Sequence, residues 1–245
     1  MKKWFMGALS VGLVCGLGGS FTVQAQISPA KGGYLFRRKL QKGLTFKYAM
    51  STVIQAKGMP KTPQGPDLSN MKMTTDMKMT ILDVVDKKAK VEIVTSELKS
   101  NGQKMQDGRK AEVEMSERGQ VIQGITGGQM QPGEEVEYPE KPLKVGDVVP
   151  IKLGQFGASS IRFIGFKPYK GKDAALWQMP FNLSGKGTAK GAKAAPPKQT
   201  MSGMINILIS KEDGWPLSTT VTIDISAQNG GQNITAKSTA TIVRQ

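Results

Sequence analysis

Apolar and polar residues alternate with a period of two through most of this chain, a pattern that fits strands with one buried face. From Leu44 to Ala56 the even positions read Leu, Phe, Tyr, Met, Thr, Ile, Ala, while Thr45, Lys47, Ser51 and Gln55 occupy odd ones. From Met71 to Ile81 the odd positions are Met71, Met73, Thr75, Met77, Met79 and Ile81, set against Lys72, Thr74, Asp76, Lys78 and Thr80. The same alternation marks Ala89–Lys99, Lys110–Ser116, Gln120–Ile125, Ser160–Phe166, Ala174–Ser184, Met201–Ser210, Pro216–Ser226 and Asn233–Val243. In Pro216–Ser226 it groups Leu217, Thr219, Val221, Ile223 and Ile225 on one face. No stretch keeps a 3.6-residue period over three turns. Polar turns such as Asp86-Lys87-Lys88, Glu212-Asp213-Gly214 and Asn229-Gly230 join successive segments. The expectation is an all-β chain: an antiparallel meander of about ten strands forming a barrel or sandwich.

Three connections are longer. Lys57–Asn70 contains three prolines, Thr126–Asp147 is rich in Gly, Pro and Glu, and Gly185–Thr200 sets lysines among Gly and Ala. The first and last are expected to be exposed and mobile, since they lack apolar anchors. The middle one divides the chain into an N-terminal β half (26–125), a connection (126–147) and a C-terminal β half (148–245). Each half runs long strand, long Lys/Pro loop, strand and tight turn, an order that suggests distant internal duplication.

Residues 1–25 have the layout of a secretory signal peptide. Lys2 and Lys3 precede an uncharged apolar core from Met6 to Leu17, and a stretch ending in the small residue Ala25 follows. The core is shorter than the roughly 20 residues a membrane span needs. Cys15 stands inside it behind Val14, not at its end behind a small residue, so cleavage near Ala25 is expected instead of acylation at Cys15. Cleavage removes the single cysteine, leaving an exported, periplasmic or extracellular chain without thiol or disulfide. About 220 residues are enough to bury a core without one.

Charge points to partners. The chain carries 34 basic and 19 acidic residues. Without Lys2 and Lys3 the balance is 32 against 19, a net charge of +13. Such an excess favours polyanions. Export and the preference for Lys over Arg, whose planar fork grips phosphate, argue against nucleic acid. Lys186, Lys190, Lys193 and Lys198 in the third long connection are the candidate polyanion-binding residues.

Chemistry is limited by what is missing. The sequence has no histidine, which removes histidine bases, histidine zinc sites and the usual catalytic triads. Ser69 with Lys72 and Ser96 with Lys99 match a Ser-x-x-Lys spacing, but on a strand residues three apart face opposite ways. Glu134, Glu135, Glu137 and Glu140 lack the spacing of a calcium loop. No cofactor, metal or enzymatic activity is expected.

Met71, Met73, Met77 and Met79 project to one face of a strand. Three readings apply: core filling, the lining of an apolar-ligand pocket, or a thioether Cu(I) site. Copper sites of that kind usually add histidine or cysteine, so burial against an opposing sheet face without metal is expected.

Two segments, Gln41-Lys-Gly-Leu-Thr-Phe-Lys-Tyr48 and Tyr138-Pro-Glu-Lys-Pro-Leu-Lys-Val-Gly-Asp147, resemble a family of uncharacterised exported β-rich bacterial envelope proteins. The resemblance implies export and a β fold. Together these readings indicate a non-enzymatic binding or scaffold module for acidic envelope polymers or membrane surface. The alternative is a periplasmic carrier of an apolar ligand in a Met-lined β half-barrel.

Overall fold

The structure, a computed structural model, describes residues 27–58, 69–126, 137–152, 158–186, 198–229 and 232–245. The leader with its expected cleavage point, Glu134 and Glu135, and most of the three long connections lie outside the described residues.

The described chain is built of strands. A small hairpin, β1 (Ser28–Ala30) with β2 (Gly33–Leu35), comes first. The N-terminal group is β3 (Thr45–Lys57), β4 (Asn70–Val85), β5 (Lys88–Thr95), β6 (Leu98–Ser100), β7 (Gln103–Gln106), β8 (Arg109–Ser116) and β9 (Val121–Thr126). The C-terminal group is β10 (Val148–Lys152), β11 (Ala158–Tyr169), β12 (Lys172–Lys186), β13 (Lys198–Ser210), β14 (Pro216–Asn229) and β15 (Gln232–Arg244). Both groups share one antiparallel sheet of thirteen strands, with main path β10-β11-β12-β13-β14-β15-β3-β4-β5-β8-β9. β6 and β7 hang off β4 as a side hairpin. The path ends at β9 and β10, so the sheet is folded over its apolar face and is not a closed barrel.

Local sequence explains the tight connections. Asp86 and Lys87 both have positive φ (47° and 61°) between the paired Val85 and Lys88. Lys170-Gly171 and Asn101-Gly102 do the same for β11–β12 and β6–β7. Two left-handed residues match the twist of the strands they join.

The inner face carries the core. Phe46, Met79, Ile81, Val91, Val113, Met115, Phe163, Trp177, Met179, Ile205, Val221 and Ile242 form one apolar cluster. Each large side chain buried there contributes about 1.5–3 kcal/mol. The segment after β2 fills the space between the two ends of the sheet. Phe36 packs on Phe163 and Trp177 of the C-terminal group, with ring centres 5.1 and 4.9 Å away. Two residues on, the Arg38 amide donates to the carbonyl of Glu117, and its buried guanidinium donates to the Met115 sulfur at 3.0 Å. That guanidinium lies where a Cβ on Gly119 would stand, and Gly119 has φ +92°, so glycine is required there twice over. Tyr138 stacks 5.3 Å from the same guanidinium. Burial pushes its phenol up to about 12, against the opposing pull of the Arg38 charge.

The pattern misplaces one residue. A register shift between Leu208 and Ile209, opposite Pro216 and Ser218, breaks the alternation of β14. Leu217 therefore leaves the face of Val221 and joins Ala174 and Leu208 in a small separate apolar cluster.

Candidate functional site

Strand register fixes what the outer face presents. Ser202, Asp224, Lys237, Gln55 and Asn70 stand directly opposite one another across β13, β14, β15, β3 and β4. Thr200, Ser226, Thr235 and Lys57 form the next row toward the strand ends. These nine residues line a hollow of about 740 Å³. Five strands spaced about 4.8 Å apart make it roughly 19 Å across.

Each strand shows its polar set on this side once its apolar set faces the core, and Ala56, Ile225 and Ala236 add apolar surface to the lining of the hollow. Lys57, Lys237 and Asp224 supply its charges, and all three are exposed. Lys57 and Lys237 sit one strand and one row apart, roughly 8 Å between Cα atoms. Among the described residues no carboxylate stands within ion-pair distance of either ammonium, although Asp224 is the register partner of Lys237. The other polar groups of the lining are hydroxyls and amides, which accept and donate but carry no charge. Such a site can attract an anion and hydrogen-bond a hydroxylated ligand.

The lysine-rich connection leaves from the rim of this hollow. Lys186 and Lys198 are backbone partners that close the β12–β13 ladder, two residues beyond Thr200. Lys190 and Lys193 lie outside the described residues. Sequence reasoning chose this connection and passed over Lys57 and Lys237. Their positions on the polar parity of two strands were readable, but the pairing of β15 with β3 that brings them together was not.

The four methionines share the inner face, with exposures of 4% for Met71, 6% for Met73, 8% for Met77 and 1% for Met79. Met77 and Met79 belong to the main apolar cluster, whereas Met71 and Met73 are buried outside it. Of the glutamates in the central connection, Glu137 and Glu140 reach Arg118 at 3.1 and 2.8 Å. They offset an arginine that also donates to the carbonyl of Tyr138.

Ser96, the serine of one Ser-x-x-Lys match, accepts a hydrogen bond from the Asp76 amide at 2.8 Å. It ties β4 to the bend between β5 and β6. Met73 of β4 pairs with Ser100 of β6 where β5 has ended.

No family model matches the sequence, and no curated protein is significantly similar to it. Among solved structures, the chain is similar to one of lipovitellin described for its lipid–protein interactions, at 9% identity and a TM-score of 0.45. The match covers 84% of this chain and 25% of that one, so the chain spans about a quarter of the length of that protein.

Proposed function

We propose that this chain is an exported, non-enzymatic binding or scaffold module that holds acidic envelope polymer on the outer face of its sheet. The observation that supports this most is the hollow with two exposed lysines, Lys57 and Lys237, among hydroxyls and amides, neither of them in an ion pair among the described residues although Asp224 stands opposite Lys237. Lysines act as mobile point charges, which suits a flexible polyanion better than a rigid phosphate pocket. The backbone pair Lys186 and Lys198 closes the β12–β13 ladder two residues from Thr200 of the hollow, and these lysines with Lys190 and Lys193 are proposed to engage the same polymer.

The test is salt-gradient elution of the exported protein from a polygalacturonate matrix. Lys57→Gln with Lys237→Gln should elute at distinctly lower salt, and neutralising the four loop lysines should flatten the salt dependence further. Elution unchanged in both variants overturns the reading, and tighter retention on anionic vesicles than on the polymer would assign a membrane surface instead. Intact mass of the exported chain checks the compartment: it should begin at Gln26.

The carrier reading has its own support in Met71 and Met73, buried outside the main cluster. Replacing all four methionines with leucine nearly conserves volume and should cost under about 1.5 kcal/mol per site. Native mass spectrometry that finds a lipid on the natural protein and none on this variant would favour the carrier.

A further inference from the structure

The hollow is one end of a longer basic feature. On the same outer face, Lys72 of β4 stands opposite Val53, which places it one strand and two rows from Lys57. Lys99 of β6 stands opposite Thr74, one strand and one row beyond Lys72. Lys237, Lys57, Lys72 and Lys99 are all exposed, and among the described residues none is in an ion pair. Asp224 and Asp76 flank them without reaching ion-pair distance of any. From strand spacing and rise, the line from Lys237 to Lys99 runs diagonally across the sheet for roughly 20 Å.

We infer that this stripe is a track, and that the occupant is a linear acidic polysaccharide lying along it. The inference rests on the proposed binding of acidic polymer at the hollow and extends it to the shape of the ligand. A compact anion would be served by the hollow alone, whereas a row of uncompensated charges leading out of it matches a chain with repeated negative charge. Between the lysines the face carries Gln55, Asn70, Thr74 and Val53. Their amides and hydroxyl suit sugar hydroxyls. There is no aromatic ring among them on which bases could stack, and nothing long and apolar to enter a bilayer.

The test is isothermal titration of the natural chain with galacturonate monomer, trimer and dodecamer at low and raised salt. The dodecamer should bind at least about tenfold tighter than the trimer, because added contacts on one chain act at high effective concentration. Lys72→Gln with Lys99→Gln should remove most of that gain and leave trimer affinity within about twofold, since surface changes of this kind rarely disturb folding. A dodecamer no tighter than the trimer, or a gain that survives the double variant, overturns the track and leaves the hollow standing. Single-stranded DNA of equal charge binding as tightly overturns the polysaccharide assignment. Failure of every galacturonate at low salt overturns the proposed function, and the track with it.

Discussion

Two groups of lysines on the outer face of one sheet have opposite fates. On β5 and β8, Lys90 reaches Glu112 at 2.8 Å, Lys88 reaches Glu114 at 3.7 Å and Lys110 pairs with Glu92. None of these pairs is directly opposite: the register sets Glu92 against Glu112 and Lys90 against Glu114. The bridges run on the diagonals, so the facing glutamates Glu92 and Glu112 are each relieved by a lysine beside the other. Lys237 shows the converse. Its register partners are Asp224 and Gln55, and its diagonals hold Thr222, Ser226, Val53 and Lys57. The carboxylate that could neutralise it is straight across, where no pair forms. On β5 and β8 the diagonal acids close off the lysines, whereas the acid straight across from Lys237 leaves it unpaired among the described residues.

The largest effect should come from removing three lysines of each kind. Lys57→Gln, Lys72→Gln and Lys237→Gln should weaken binding to polygalacturonate by more than about tenfold if each contributes like one surface charge near a polyanion. Lys88→Gln, Lys90→Gln and Lys110→Gln remove the same net charge and should leave that affinity within about twofold if only unpaired lysines engage the ligand. Equal losses in the two triples, measured by titration, would reduce the contrast to bulk charge.

A smaller effect should follow from converting the open group toward the closed one. Gln55→Glu is nearly isosteric, stands opposite Lys237 and lies diagonal to Lys72. It should weaken polymer binding several-fold. Opposite-charge cross-strand pairs contribute about 0.2–1 kcal/mol, so urea unfolding should show a gain of that order. A stability gain with full binding would mean the ligand does not use Lys237 or Lys72.

The smallest effect is one of pH. The Lys90 hydrogen bond holds the Glu112 carboxyl below its ordinary range, and the Glu92 hydrogen bond raises the Lys110 ammonium. A carboxyl whose folded value lies below its unfolded one stabilises the fold at neutral pH, and that contribution fades as pH falls through the folded value. Lys90→Gln should move the Glu112 titration upward in NMR. With Glu112 shifted down and Lys110 shifted up, both stay charged across pH 5–8, and stability should not depend on either in that range.

The long strands were legible because six or more alternations leave one consistent phase. Short ones were not. β1, β2 and β6 have three residues each, and β7 has four. β10 is interrupted by Pro150, a residue suited to an edge strand, which is its position here. Asn101-Gly102 is a readable hairpin signal flanked by strands too short to confirm it. Bulges also hide phase: a shift between Ile81 and Asp83 ends the methionine alternation although β4 runs on to Val85. The core role of Phe36 and Arg38 was invisible for another reason. Their segment has no repeat, and it is placed by partners such as Trp177 and Met115, far off in sequence.

The seam between β15 and β3 also governs how the chain can be assembled. Thr241 donates to the carbonyl of Ser51 across 190 positions, and ten residues of each strand pair in register there. Neighbouring strands elsewhere are mostly joined by short hairpins and can zip up as soon as they exist. The seam must wait for two distant segments to meet, and the entropy of closing that loop is spent before any of its hydrogen bonds form. Folding should therefore be slow, with a late rate-limiting step. Until that step, β3 presents a long row of unsatisfied amides and carbonyls, open to any other strand that reaches it first.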